Sequence, residues 1–170
     1  MKGILNGIIN SKITNVEKEY EGFEVDTEKT EYSEATIKPD GTTLVKIYYK
    51  RIKKEITFDT DGGSTIEGIE IKYGDVLPKD IAPTKQGYVF DGWTLDGEDF
   101  NEETSITDNI KLKAKWLARN DTSYKVNYYK EDLNGNYDEE NPNDIDNKTG
   151  TTDTKVKQEN IEKTIRYYLK

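Results

Sequence analysis

The chain has 170 residues, of which 35% are charged and only 32% are hydrophobic, a balance that predicts several small cores rather than one large core. Its formal net charge of -9 disfavours nucleic acid, heparin-like chains and anionic lipid as partners. The sequence contains no histidine and no cysteine. Disulfides, thiolate metal sites and most nucleophile–base pairs are therefore excluded.

The first segment, residues 1–51, begins with a short apolar stretch and ends in a tyrosine-rich strand. Residues 1–9 are too short and too interrupted by Gly and Asn for a signal peptide, so we expect any secretion signal to lie outside this chain. No stretch approaches the roughly 18 apolar residues that a membrane span needs. The strand pattern of residues 45–51 recurs at 124–130 and loosely at 164–170, which indicates related modules.

The middle segment, residues 52–118, has the clearest strand patterning. Ile56 and Phe58 alternate with polar residues before an Asp-Gly-Gly turn at 61–63. The next strand places Ile69, Ile71 and Tyr73 on one face. Further along, Pro78 and Pro83 exclude a long helix and favour extended chain with at most one short helical turn.

Two further strands are predicted at the end of the middle segment. Residues 88–93 predict an aromatic strand that contributes Tyr88, Phe90 and Trp93 to the core of this segment. In the last strand three apolar residues alternate strictly with three lysines, which predicts an apolar inner face and a cationic outer face. These six residues are Leu112, Ala114 and Trp116, and Lys111, Lys113 and Lys115.

The third segment, residues 119–170, is acidic and rich in turns. Residues 117–123 look like a short linker. Residues 131–150, with a hairpin-like Asn134-Gly135, predict a long solvated loop or a hairpin with an acidic tip. The last twenty residues fit a helix, because four residues recur at helical spacing, Ile161, Ile165, Tyr168 and Leu169. The same residues also fit a strand after Lys163.

The motifs of the middle segment occur together in one known family. In chain order they are Ile56-Thr57-Phe58-Asp59, Asp61-Gly62-Gly63, Tyr73-Gly74-Asp75, Leu77-Pro78, Pro83-Thr84-Lys85, Gly87-Tyr88-Val89-Phe90-Asp91-Gly92-Trp93 and Leu112-Lys113-Ala114-Lys115-Trp116. The segment thereby resembles the Listeria–Bacteroides repeat, also called the internalin B-repeat. The resemblance implies a β-grasp, ubiquitin-like module of extracellular bacterial proteins. That family has no known catalytic residues, so none are assigned here.

The two flanks resemble halves of a second repeat type, that of mucin-binding proteins. Residues 20–25, 39–43 and 48–49 are similar to the closing half of such a unit, and residues 124–153 to its opening half. This resemblance implies that the chain starts inside one module and ends inside another. Each half would then need a complement from elsewhere in the chain or from a neighbour.

Several side chains have both a structural and a ligand-binding interpretation. The aromatic residues of the middle segment could stack sugars, but strand alternation favours a core. In each Tyr-Tyr pair one ring is expected to face inward and one outward; the outward ring is a candidate for ligand binding, but a structural role is favoured for it. The residues concerned are Tyr88, Phe90, Trp93 and Trp116 in the first group, and Tyr48, Tyr49, Tyr128 and Tyr129 in the second.

Charged residues offer two further alternatives. Asp132, Asn134, Asn136 and Asp138 are spaced like the start of a calcium loop, but the sixth position holds Tyr137 instead of glycine. A solvated acidic turn is therefore favoured over a calcium site. The lysine row at 111, 113 and 115 could bind an acidic glycan, but it fits a solvated strand face that guards a sheet edge better.

These patterns predict an α+β, β-dominated protein with a central β-grasp repeat and β-rich flanks. We expect domains at 1–51, 52–118 and 119–170, no enzymatic activity, no cofactor and no metal. The predicted function is a structural spacer and interaction module of an extracellular, cell-wall-attached bacterial surface protein. Its expected partners are neighbouring repeats of the same protein. In an alternative function, the repeat is an adhesin that binds a host surface protein or glycan.

Overall fold

The computed structural model describes residues 17–30 and 37–157. Over these ranges the secondary structure consists of β-strands and turns, without a helix. The strands are β1 Phe23–Val25, β2 Tyr49–Arg51, β3 Lys53–Asp59, β4 Ile69–Lys72, β5 Tyr88–Leu95, β6 Glu98–Asp99, β7 Ile110–Ala118, β8 Thr122–Tyr128 and β9 Asp144–Gly150.

The strands form three sheets. A central five-stranded sheet has the order β4-β3-β7-β5-β6, and two-stranded sheets β1-β2 and β8-β9 precede and follow it in the chain. By their internal contacts the residues divide into two compact units. Of the described residues, one unit comprises those within Met1–Phe58, Glu67–Asp80 and Phe100–Leu112, and the other comprises those within Asp59–Ile66, Ile81–Asp99 and Lys113–Lys170.

The predicted β-dominated class is confirmed, whereas the α+β class is not supported where the structure describes the chain. The segment between β4 and β5 is the place where a β-grasp module would carry its helix. This segment contains Pro78 and Pro83 and forms turns and extended chain instead. Proline removes a backbone donor and restricts the residue before it, so the two prolines prevent a continuous helix here.

The first unit buries four aliphatic side chains, Ile56, Leu77, Ile106 and Leu112, each at most 3% exposed. Two backbone hydrogen bonds hold the loop that carries Ile106. Its carbonyl accepts from the amide of Gly74 at 2.8 Å, and its own amide donates to the carbonyl of Asp75 at 2.9 Å. The alternation predicted for Ile69, Ile71 and Tyr73 is confirmed, since these residues are half-buried and Glu70 and Lys72 are exposed.

The second unit is centred on Trp93, which is 1% exposed, and on Ala114, which lies opposite it in the register of β5 and β7. The register shifts between Phe90 and Trp93. Such a β-bulge re-aims side chains on the bulged strand. Gly92 lies inside the bulge with a φ of 99°, a conformation that glycine adopts without strain.

Three predicted elements differ in length from the observed ones. The tyrosine strand of residues 45–51 pairs only from Tyr49, because the amide of Tyr48 is bound by Thr30 Oγ1 at 3.0 Å. The linker predicted at 117–123 is shorter, since Leu117 and Ala118 still pair with β5. The hairpin with an acidic tip is confirmed as β8 and β9, which pair along their whole length.

Several predictions fall on residues that the structure does not describe. They are the apolar start at 1–9, the third tyrosine strand at 164–170 and the helix or strand proposed around Ile161 and Ile165. The domain boundaries at 51/52 and 118/119 stay predictions.

Candidate functional site: the aromatic cluster and the junctions on either side of it

The predicted aromatic cluster is present on β5 and β7. Ring centroids lie 5.1 Å apart for Phe90 and Trp93, and 5.7 Å apart for Phe90 and Trp116, in edge-to-face geometry. Tyr88 extends the cluster, with its ring 6.5 Å from that of Trp116. Trp93 is buried and the other three rings are half-buried. The core interpretation is therefore confirmed for Trp93, and the remaining rings form the outer side of the same cluster.

Polar contacts fix both indoles. Trp93 Nε1 donates to the carbonyl of Ile81 at 3.0 Å, and Trp116 Nε1 donates to the carbonyl of Thr60 at 3.0 Å. The Thr60 carbonyl also accepts from the amide of Gly63 at 2.9 Å, so the Asp-Gly-Gly turn and the indole share one oxygen. A side chain at Gly63 would lie 2.6 Å from Trp116 Cζ2. The turn glycine is thus required by the ring beside it.

Lys85 covers the outer side of the cluster. Its Nζ lies 4.6 Å from the Tyr88 ring centroid and 5.5 Å from that of Trp116, which are cation–π distances. The same Nζ donates to the backbone carbonyl of Asp61 at 2.8 Å. The ammonium occupies the face on which a sugar would stack, so this face favours the structural interpretation.

The C-terminal junction is the contact between the start of β5 and both ends of the β8–β9 hairpin. The carbonyl of Gly87 accepts from the amide of Arg119 at 2.9 Å and from Thr152 Oγ1 at 2.7 Å. The amide of Thr152 donates in turn to the carbonyl of Arg119 at 2.9 Å. Thr122 Oγ1 lies 2.6 Å from Thr152 Oγ1. One carbonyl oxygen therefore holds the residue that enters the hairpin and the residue that leaves it.

Side chains reinforce the C-terminal junction. The Tyr88 hydroxyl donates to Asp153 Oδ2, and this hydrogen bond raises the pKa of Tyr88. Arg119 makes a two-point ion pair with Asp121, at 2.8 and 2.6 Å, which lowers the pKa of Asp121. Gly87 has a φ of 81°, and a side chain there would lie 2.8 Å from Thr152 Oγ1. Only glycine fits this position without strain or displacement of Thr152.

The N-terminal junction, between the β1–β2 sheet and the loop after β4, is built in a similar way. The carbonyl of Gly22 accepts from the amide of Ile52 at 2.9 Å, and the carbonyl of Ile52 accepts from the amide of Tyr73 at 2.8 Å. The Tyr73 ring packs so closely on Gly22 that a side chain there would overlap it. The Tyr73 hydroxyl donates to Glu21 Oε1 at 3.0 Å.

An ion pair closes the same N-terminal junction. Arg51 Nη1 lies 2.5 Å from Asp75 Oδ1, and it also donates to the carbonyl of Tyr73 at 3.2 Å. The hydrogen bond from Arg51 lowers the pKa of Asp75. Both junctions thus combine a left-handed glycine, a tyrosine that bonds a carboxylate, and backbone hydrogen bonds across the connection.

The tyrosine pairs divide as predicted between inward and outward rings. Tyr49 packs edge-to-face on Tyr20 at 4.8 Å, whereas Tyr48 is 44% exposed. Tyr128 is half-buried and donates to Asp146 Oδ2 at 3.0 Å, whereas Tyr129 is 37% exposed. Within residues 17–30 and 37–157, neither outward ring packs into an aromatic cluster.

The lysine row lies on β7, which has β3 and β5 as neighbours, so the prediction that it guards a sheet edge is wrong. The strand is interior because both its edges pair with neighbouring strands of the central sheet. Lys113 Nζ pairs with Asp61 Oδ1 at 2.9 Å, and Lys115 Nζ pairs with Asp99 Oδ1 at 2.8 Å. These carboxylates raise the pKa values of both lysines. Ion pairing within the protein disfavours an acidic glycan here.

The acidic loop between β8 and β9 uses its carboxylates in its own turns. Asp132 Oδ1 accepts from the amides of Asn134 and Asn136 at 2.8 and 2.9 Å. Asp138 accepts from the side chain of Asn141 at 2.9 Å. These hydrogen bonds lower the pKa of both aspartates. Over residues 17–30 and 37–157, no three acidic side chains are grouped so that they could hold a metal ion.

Residues 55–115 match the Listeria-Bacteroides repeat domain. This family is typically non-enzymatic, and the match covers β3 to β7, which includes the aromatic cluster. The repeat ends before the C-terminal junction, whose Arg119 and Thr152 lie beyond the matched residues. The predicted resemblance of the middle segment is confirmed, and the resemblance of the flanks to mucin-binding repeats stays a prediction.

Two curated relatives come from Evansella cellulosilytica. One, named "Putative Gly-rich membrane protein", is 35% identical over 65 residues, which are 36% of this chain and 8% of that protein. The other, named "Putative membrane protein", is 30% identical over 108 residues, which are 61% of this chain and 16% of that protein. The chain thus spans less than a fifth of the length of either relative. No solved structure matches it. Where the structure describes the chain, it contains no helix long and apolar enough to cross a membrane.

Sequence reasoning identified the aromatic cluster but missed the junctions. Gly87 was read as part of a family motif, and the sequence gives no sign that Thr152, 65 residues away, binds its carbonyl. No local signal in the sequence marks either junction.

Proposed function

We propose that the chain is a non-catalytic spacer and interaction module of an extracellular, cell-wall-attached bacterial surface protein. Its partners are neighbouring repeats of the same protein. The repeat match and the names of the two relatives support a structural repeat at the cell surface. A spacer works by keeping its modules at fixed angles, because a flexible connection does not hold a distal domain away from the wall.

The observation that carries this proposal is the C-terminal junction. A three-residue connection, Arg119 to Asp121, separates β7 from β8, and the Gly87 carbonyl then binds both ends of the hairpin. A connection this short, with backbone hydrogen bonds on both sides, restricts rotation between the repeat and the hairpin. The N-terminal junction offers the same kind of restriction through Gly22 and Tyr73.

We also propose that the repeat has a β-grasp arrangement. The sheet order is β4-β3-β7-β5-β6, in which β3 and β7, the first and last long strands of the repeat, lie side by side. This strand order is that of the β-grasp fold. The helix that usually covers a β-grasp sheet is replaced here by the proline-containing segment before β5.

Stiffness at the C-terminal junction can be measured by double electron–electron resonance. The chain has no cysteine, so spin labels attach only at introduced thiols. Labels at Glu98→Cys on β6 and Lys125→Cys on β8 both sit at exposed positions. We expect a narrow distance distribution, broadened by Thr152→Ala, which removes the hydrogen bond to Gly87.

The matched control is Thr154→Ala, which removes a hydroxyl that bonds only within its own turn, at 2.6 Å from the carbonyl of Thr151. It should leave the distribution narrow. A broad distribution in the parent chain would contradict the spacer function. The adhesin alternative predicts saturable binding in screens of host glycans and surface proteins, and a pure spacer shows none.

A further inference from the structure

Strand β1 lies at the edge of its sheet in the part of the chain that the structure describes, where β2 is its one neighbour. The carbonyl of Gly22 and the amide of Asp26 are directed at β2, where they bond Ile52 and Tyr48. Backbone groups alternate sides along an antiparallel strand, so the carbonyl of Phe23 and both backbone groups of Val25 face the opposite edge, while the amide of Phe23 donates to the carbonyl of Tyr20 at 3.1 Å. An edge with outward backbone groups is a template for an added strand.

Beside this edge lies a cleft with a volume of ≈ 790 Å³, large enough for several side chains of an extended segment. Tyr20, Phe23 and Tyr49 provide its apolar lining, and the first two are 52% and 44% exposed. Its rim is acidic, with one lysine against four glutamates, at positions 17, 19, 21 and 24. The cleft therefore suits a segment that has an apolar side chain between cationic ones.

Such a segment follows β9. Lys155, Val156 and Lys157 continue the chain beyond the C-terminal junction without pairing in a strand of the described residues, and Val156 is 50% exposed. In a strand, consecutive side chains point to opposite faces, so the valine would take one face and both lysines the other. The β1–β2 sheet has the same division. Val25 and Tyr49 are paired on one face, and Glu24 and Lys50 on the other.

We propose that residues 154–157 of one copy add as a strand to the edge of β1 in a second copy. Val156 enters the cleft beside Tyr20 and Phe23, and the two lysines lie on the face of Glu24. The complementary charges and the matching face pattern favour this occupant over an unrelated protein. The proposal rests on the proposed function, since it gives a contact by which successive copies join head to tail.

The contact is small and belongs to the weak class of interfaces, so it is tested with the whole chain at high concentration. Sedimentation velocity from about 10 µM to about 1 mM should show growth beyond 19.6 kDa at low salt, reduced at about 0.5 M salt by charge screening. Val156→Asp should raise the dissociation constant at least about tenfold. Lys155→Glu should weaken association, and Glu24→Lys in the same chain should restore it.

Leu133→Asp is the matched control, because Leu133 is fully exposed on the hairpin loop and the substitution changes charge and apolarity in the same way. It should leave the dissociation constant unchanged. A monomer at every concentration, or association that Val156→Asp does not weaken, would overturn the proposal. Either result leaves the spacer function standing, because the spin-label distances report a junction within one chain.

Discussion

Gly63→Ala tests whether the turn glycine exists to make room for Trp116. The added methyl would lie 2.6 Å from Trp116 Cζ2 and 3.1 Å from the carbonyl oxygen of Thr84. Neither neighbour can withdraw easily. The indole is held by its hydrogen bond to Thr60 at 3.0 Å and by the Phe90 ring, and the Thr84 carbonyl accepts from the amide of Ser64 at 2.8 Å.

We expect Gly63→Ala to lower the free energy of unfolding by about 1–3 kcal/mol, the usual cost of forcing one carbon into a packed site. In a small domain each kcal/mol lowers the melting temperature by roughly 4–8 °C. In a Trp116→Leu background the clash with the indole is gone and only the contact with the Thr84 carbonyl remains, so the same substitution should cost clearly less. The double-mutant cycle should then give a coupling energy of about 1–2 kcal/mol between the two positions.

Urea denaturation followed by circular dichroism measures these free energies without depending on the tryptophan that is replaced. Gly150→Ala is the matched control, because its methyl would lie 3.4 Å from the Tyr124 ring, an ordinary contact. It should be close to neutral. Additive losses for Gly63→Ala and Trp116→Leu would refute the steric argument.

Three further outcomes are expected. Gly87→Ala should destabilise the protein by about 1–3 kcal/mol and speed amide exchange at Thr152, because the methyl at a φ of 81° is strained and meets the threonine at 2.8 Å. Trp93→Phe should cost about 1–3 kcal/mol in denaturant unfolding, because the half-buried Ile81 carbonyl loses its donor and a smaller ring fills the buried site. Asp61→Asn should make the free energy of unfolding fall less steeply as the pH is lowered into the acid range. Lys113 lowers the pKa of Asp61 below 3.8, so this stabilisation is present above that pH and lost as the pH falls through the lowered value.

Each of these outcomes has its own control or contrary result. Gly74→Ala has a similar φ of 82° with nothing nearby, so it should show only the backbone part of the loss seen at Gly87. The prediction for Trp93→Phe is contradicted if the variant has the same free energy of unfolding as the parent. That result would mean that water replaces the indole as the donor to the Ile81 carbonyl. For Asp61→Asn, an unchanged acid limb would show that the ion pair with Lys113 is broken in solution.

Sequence reasoning predicted the strands in which apolar and polar residues alternate. Leu112 and Ala114 alternate with lysines and are buried as expected, because one face of a strand must leave water. It failed where tertiary contacts determine the position of a strand in the sheet. Nothing local shows that β7 lies between β3 and β5, and for that reason the lysine row was wrongly placed at an edge.

Over the described residues, helix content was over-predicted for a related reason. The α+β class came with the family resemblance, whereas the residues themselves, with Pro78 and Pro83 in the connecting segment, argued for extended chain. The junctions could not be found at all from one sequence. They depend on the carbonyl oxygens of Gly22 and Gly87, and a backbone atom leaves no mark in the residue pattern.

The carbonyl of Gly87 also determines how the chain responds to tension. Arg119 and Thr152 both donate to the Gly87 carbonyl, so the two ends of the hairpin are held together. The residues between them therefore do not add to the end-to-end distance of the folded chain. A force applied to the residues after Thr152 acts on the few hydrogen bonds of the C-terminal junction before it acts on the central sheet. Once they part, the antiparallel strands open one pair at a time and release roughly 100 Å of chain, at about 3.3 Å for each residue. The segment would then act as an extensible element that yields before the repeat unfolds.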